Sequence, residues 1–233
     1  TDATEAIKDD LLLVVHLLSA ATSAPRQPNA FVRAGSLAEY GSLPPPYREE
    51  SREAPRNVYG ATLVAGGHFV KALQPRLLFP VSTARLALIY GPSQTEDYLI
   101  PALISRCLAG ERTMIRHPDD RRDLIHVDDA VDGLMRMARL PLPPATIVNL
   151  ASGAAPSMRE VAGLVLQHTG ADPSLVDYGD GFASSGTADL RGSPELAAHL
   201  LGWKARMPLS EGIARTVAWH RTQITEQTAE AAQ

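Results

Sequence analysis

With 233 residues, a formal charge of −4 and 45% hydrophobic residues, the chain can bury a real core in one large domain or two small ones. The slightly acidic balance and the absence of a basic stripe exclude nucleic acid as an expected partner. Cys107 is the only cysteine, so no internal disulfide forms and a reducing compartment is the default.

In chain order, residues Thr4 to Thr22 read as one helix. Asp9 and Asp10 precede a nearly all-apolar stretch, and Pro25 follows its end. Apolarity on every side predicts burial on more than one face. The run from Leu11 to Leu18 is too short to span a bilayer and contains His16. No basic segment with a cleavage site precedes it, so the expectation is a soluble, cytoplasmic protein with no membrane partner.

Ala30 to Ala34 reads as a short strand that runs into a turn from Gly35 to Gly41 and leaves the Ser36 hydroxyl at the strand's carboxyl end. After the stiff loop at Pro44-Pro45-Pro46, Tyr59 to Leu73 reads as a helix. Gly60, Gly66 and Gly67 within it suggest another backbone passing close by. Thr83 to Tyr90 is the next strand, closed by Gly91-Pro92, and Tyr98 to Leu108 a helix with Pro101 in its first turn.

Asp123 to Val127 reads as a strand feeding a helix over 128–138, and Thr146 to Leu150 as another strand. Ser157 and Glu160 form a capping box before a helix ending near His168. Ser193-Pro194 opens a short helix that stops at Leu201-Gly202-Trp203, and Ser210 is placed as the cap of the last helix, before a tail expected to fray. Alternating strands and helices predict an α/β protein with parallel pairing.

Five motifs in this order resemble the extended short-chain dehydrogenase/reductases that act on nucleotide-linked sugars. They are Ser36 with Tyr59, the strand Arg85 to Pro92 ending in Tyr-Gly-Pro, Arg122-Asp123-Leu124-Ile125-His126-Val127-Asp128-Asp129, the turn Asn149-Leu150-Ala151-Ser152-Gly153, and Leu201-Gly202-Trp203. The resemblance implies a partial Rossmann-like parallel sheet with a small C-terminal α/β substrate domain. On that reading residues 1–92 and 123–150 are the Rossmann-like part. Residues 93–122 and 151–225 bind substrate, and 226–233 is a disordered tail.

It also implies NAD or NADP as cofactor, a nucleoside-diphosphate sugar as ligand, and pairing of two copies through the Tyr59 helix and the helix before the Ser36 strand. Ser36 would polarise a carbonyl and Tyr59 exchange a proton with it. Arg122 would grip the diphosphate unless it merely pairs with Asp119 or Asp120. Tyr90 would border the cofactor. Leu88 stands where several members place a substrate-contacting asparagine, and Leu63 stands where the family has the lysine that lowers the tyrosine pKa and holds the nicotinamide ribose.

The family's opening strand and Gly-x-x-Gly-x-x-Gly turn find no counterpart in this sequence. Measured against the resemblance, the chain starts just before the family's fourth helix, leaving out roughly 75 to 90 residues. An incomplete gene model or a cloned fragment would give the same sequence. The expected consequences are a bare edge at the Ala30 strand, covered by another chain or another copy, and weak or no dinucleotide binding by this chain. The loop 178–185 lacks the second phosphate arginine that the family often places there. The competing expectation is a non-redox relic of the fold, serving as a binding or dimer-forming module or as a nicotinamide-independent enzyme. No Gly-x-Ser-x-Gly elbow surrounds Ser36, and His117 to Asp120 lacks metal-ligand spacing.

Overall fold

In the computed structural model, which describes residues 2–180 and 188–231, the first element is a helical run in three parts. Asp2 caps α1 (Ala3–Ala6), a π-helical stretch spans Ile7–Leu12, and α2 covers Leu13–Ser23. Burial on several faces was the expectation. Instead Leu18 is buried, while Leu13 and Leu17 are 51% and 47% exposed. The apolar stretch therefore has one packed face and one open face.

Strand β1 (Phe31–Ser36) runs two residues further than its apolar pattern suggested. Its parallel ladder to β2 (Val81–Leu86) continues from Phe31 opposite Val81 to Ser36 opposite Leu86, and the ladder carries Gly35 with it. Helix α3 (Val58–Leu73) follows a long loop and is capped by Asn57, whose side chain accepts from the Gly60 amide at 2.8 Å. Its glycines have different jobs. A Cβ on Gly60 would lie 2.7 Å from the Ala38 carbonyl, a backbone approach as expected, whereas one on Gly66 would meet the Arg33 guanidinium at 2.8 Å.

The run Thr83 to Tyr90 is two strands, not one. After β2 the Ala87 amide donates to Leu150 and the Leu88 amide to Asp123, so β3 (Leu88–Tyr90) changes partner. Next come α4 (Leu99–Ala109), β4 (Thr113–Ile115), β5 (Arg121–Arg122), β6 (Leu124–His126) and α5 (Val127–Arg139). They are followed by β7 (Ile147–Leu150), α6 (Met158–Thr169), β8 (Val176–Tyr178), β9 (Asp189–Leu190), α7 (Glu195–Leu201) and α8 (Leu209–Ala231).

The largest sheet has the order β1-β2-β7, and β3–β6, β4–β8 and β5–β9 form pairs; every ladder among the described residues is parallel. Strand β2 is central and buried from Val81 through Arg85, as a parallel strand covered on both faces must be. Among the described residues no strand lies on the free side of β1. One core gathers Leu37, Tyr40, Val148, Leu150 and Trp203, and a second joins α4, α6 and α8 through Leu103, Ile104, Val161, Val165 and Val217.

One capping assignment differs from expectation, and an acidic residue bonds outside its own helix. Ser210 lies inside α8, bonded to His168 Nε2 at 2.9 Å, and Asp129 accepts the Arg206 and Met207 amides rather than capping α5. Helix α8 continues through Ala231, and residues 232 and 233 lie outside the described residues, as does 181–187 of the loop thought to lack an arginine. No helix among the described residues is long and apolar enough to cross a membrane.

Candidate active site

Ser36 ends β1 and opens a 3-10 turn, Leu37–Glu39. Its Oγ accepts from the Ala38 amide at 3.1 Å, and its own amide donates to Glu39 Oε1 at 3.1 Å. Glu39 is fully buried and bound to Arg85 at 2.9 Å; Arg85 also pairs with Glu53 and lies 4.5 Å from the Tyr40 ring centroid. The Tyr40 hydroxyl donates to Asn149 at 2.9 Å, which joins the Ser36 turn to β7. These bonds fix the Ser36 backbone and leave its hydroxyl hydrogen free to donate.

Tyr59 is the second residue of α3. Its phenol and the Ser36 side chain line the same cavity, close enough for the serine to lower the phenol's pKa. Burial pushes the phenol above its ordinary value, Ser36 pulls it down, and the nearby Asp10, Tyr98 and Glu39 push it up, so the net direction is upward. A tyrosine so placed stays protonated through neutral pH.

Both side chains line a cavity of about 580 Å³ at the carboxyl ends of β1, β2 and β3. That is where open α/β sheets hold ligands. Leu63, Leu88 and Tyr90 line it too, but Arg122 does not. Arg122 pairs with Asp120 at 2.6 Å and donates to the Arg121 carbonyl at 2.9 Å. Leu63 is buried one helical turn beyond Tyr59 and offers no charge there. The ring of Tyr90 is buried edge-on to His126, and its hydroxyl, which has no hydrogen-bond partner, abuts Gly212.

Sequence reasoning missed Asp10, Gln94 and Tyr98, which also line the cavity. Asp10 sits in the π-helical stretch and accepts from the Thr62 hydroxyl at 2.9 Å. Its signal was the Asp9-Asp10 pair, read only as a helix start, and π-segments often mark functional positions. Among the described residues no lysine or arginine lines the cavity.

The arginine motif has a second member with a clear task. Asp123 is fully buried, and its carboxylate accepts from the Ser152 amide at 2.8 Å, the Ser152 hydroxyl at 2.6 Å, the Gly153 amide at 3.0 Å and the Gly192 amide at 3.3 Å. Burial raises its pKa, and these donors offset part of the rise. The two sequence motifs around Asp123 and Ser152-Gly153 are thus one clamp.

Comparison with known proteins places this geometry. Residues 1–151 match the model of the NAD dependent epimerase/dehydratase family. The chain is 34% identical over 184 residues to a dTDP-L-rhamnose 4-epimerase of Burkholderia thailandensis, a match covering 75% of this chain and 49% of that protein. It is 28% identical over 186 residues to the dTDP-D-glucose 4,6-dehydratase of Mus musculus, covering 78% and 52%. The chain thus spans about half the length of the curated relatives it matches. A solved structure of MoeE5 in complex with UDP-glucuronic acid and NAD superimposes with a TM-score of 0.87 at 29% identity, over 96% of this chain and 74% of that one. By the family match across 151 of its 233 residues, and by the Rossmann-like fold that agrees with it, this chain belongs to the NAD dependent epimerase/dehydratase family.

Proposed function

We propose that the chain carries the substrate-side machinery of a nucleotide-sugar epimerase, dehydratase or ketoreductase. The observation behind this reading is the Ser36–Tyr59 hydroxyl pair on the wall of a cavity at the strand ends. The ligand is a nucleoside-diphosphate sugar whose reacting oxygen rests against both hydroxyls. Ser36 polarises that oxygen through its hydroxyl, which the Ala38 amide anchors. Tyr59, held neutral, would give the oxygen its proton as a nicotinamide supplied hydride to the carbonyl carbon. A phenol with a raised pKa suits this direction and is a poor base for the reverse one. Arg122 grips the diphosphate by exchanging Asp120 for phosphate oxygens, which keeps its guanidinium paired.

The described residues do not furnish a seat for a whole dinucleotide. Leu63 cannot hold a ribose hydroxyl, the Tyr90 hydroxyl is turned into the protein against Gly212, and no cation lines the cavity. The chemistry assigned to them is therefore confined to positioning and proton delivery. The same three observations favour a second reading, in which the fold serves as a non-redox binding or dimer-forming module. Leu13, Leu17 and Phe69, 51%, 47% and 48% exposed on α2 and α3, support pairing of two copies through those helices in either reading.

Calorimetric titration of the chain with a thymidine-diphosphate sugar and with NADH separates the readings. The enzyme reading expects saturable heat with the nucleotide sugar that Tyr59→Phe weakens, and no micromolar binding of NADH by this chain alone. Failure to bind nucleotide sugar at millimolar concentration contradicts it and leaves the module reading.

A further inference from the structure

The cavity at the strand ends has two unlike sides. Asp10, Ser36 and Tyr59 supply a carboxylate and two hydroxyls. Thr62, three residues after Tyr59 on α3, holds Asp10 at 2.9 Å and fastens this polar side to the helix. The other side is apolar. Leu88 and Leu124 stand opposite each other in the β3–β6 ladder, and Leu99, Met158 and Leu190 extend their surface. Leu88 and Leu99 remain 39% and 38% exposed. Apolar surface left open along a cavity favours a ligand group that covers it and asks for no hydrogen bond.

The ladders place the apolar side next to Arg122. Leu190 is paired with Arg122 between β5 and β9, and Leu124 follows the arginine by two residues. The Met158 amide donates to the carbonyl of Asp120, whose carboxylate pairs with Arg122. A sugar held between Arg122 and the Ser36–Tyr59 hydroxyls therefore lies along the leucines. Of the substituents on a hexose ring, the one on C5 occurs as methyl, hydroxymethyl or carboxylate. The leucines and Met158 offer no partner to a C6 hydroxyl, which would lose its water bonds without replacement. Gln94 and Tyr98 come from the segment leading into α4, and the Gln94 amide nitrogen is taken by the Ile89 carbonyl at 2.9 Å. A C6 carboxylate fares worse, because Asp10 is itself an anion and no described lysine or arginine lines the cavity.

We propose that the sugar taken by this cavity is a 6-deoxyhexose, with a methyl group on C5 in place of a hydroxymethyl or a carboxylate. This rests on the reading of the site as one for a nucleoside-diphosphate sugar, and names the sugar's class. The methyl covers Leu88 and Leu99, while the ring hydroxyls and the reacting oxygen go to Asp10, Ser36 and Tyr59. Leu88 and Asp10 are the specificity-determining residues. The first denies a partner to a C6 hydroxyl, and the second repels a C6 carboxylate.

The test is calorimetric titration of the chain with three thymidine-diphosphate sugars that differ only at C6: 6-deoxyglucose, glucose and glucuronic acid. The 6-deoxy compound is expected to bind about tenfold more tightly than the glucose compound, the cost of an unpaired hydroxyl on an apolar wall. It is expected to bind at least about a hundredfold more tightly than the glucuronic acid compound, whose carboxylate meets Asp10. Leu88→Asn is expected to erase the first preference and Asp10→Asn to narrow the second by about tenfold. Equal affinity for the 6-deoxy and glucose compounds, or tighter binding of either oxygenated sugar, overturns the proposal and leaves the nucleotide-sugar reading in place. A preference for the 6-deoxy compound that survives in folded Leu88→Asn overturns it as well. Failure of all three to bind at millimolar concentration removes both the proposal and the reading beneath it.

Discussion

Asp123 and Arg33 are both buried ions on the parallel-strand framework, and they are treated in opposite ways. Asp123 receives four donors from two loops and so ties β6 to the turns after β7 and before α7. Arg33 has one bond, to a helix carbonyl, and two nitrogens with none. An ion with its valences filled holds a fold together. One kept short of partners is a standing cost. The charge at 123 ties two loops together, and the charge at 33 is an under-bonded ion beneath α3.

The comparison can be broken most sharply at Asp123. Asp123→Ala removes the shared acceptor of three backbone amides and is expected to cost about 3–5 kcal/mol in chemical denaturation. A loss under ~1 kcal/mol would mean the clamp is ornamental.

A smaller effect is expected from Tyr40, which belongs to the well-bonded network and is pushed up to about 12 by burial. The unfolded phenol releases its proton near pH 10 and the folded one does not, so the native state binds more protons between these values and stability falls as pH rises. Two units correspond to about 2.7 kcal/mol of alkaline sensitivity. Tyr40→Phe should flatten that part of the pH–stability curve, and an unchanged slope would show that Tyr40 ionises freely.

The smallest effect on stability is expected at Arg33. Replacing a poorly satisfied buried ion by a hydrophobe of similar size is commonly neutral or stabilising by about 1–4 kcal/mol, so Arg33→Met should not lower the denaturation midpoint. A loss comparable with Asp123→Ala would erase the distinction between the two ions.

How much of this could be read beforehand depended on the length of the signal. The strand from Thr83 was visible because a buried parallel strand is a long apolar run, but its break at Ala87 was not, since the change of partner is decided by Leu150 and Asp123 far along the chain. Strands β4, β5, β8 and β9 have two or three residues each, too few for any period to show. Ser36 and Tyr59 were picked out by resemblance, and both line the cavity at the strand ends. Arg33 passed unnoticed inside a strand, though Gly66 and Gly67 in a helix were a sign that something lay against it. In the Arg122-Asp123 pair attention fell on the arginine, while the buried aspartate carries the structural load.

The central claim is that the Ser36 and Tyr59 hydroxyls together meet the reacting oxygen of a nucleotide-linked sugar. Following the fluorine resonance of labelled Tyr59 while a thymidine-diphosphate sugar is added tests it most directly. The expected result is a saturable shift that Ser36→Ala weakens at least about tenfold in affinity, the loss of a hydrogen bond to a bound ligand. A Tyr59 resonance that stays in place while the sugar nucleotide binds elsewhere on the chain would contradict it.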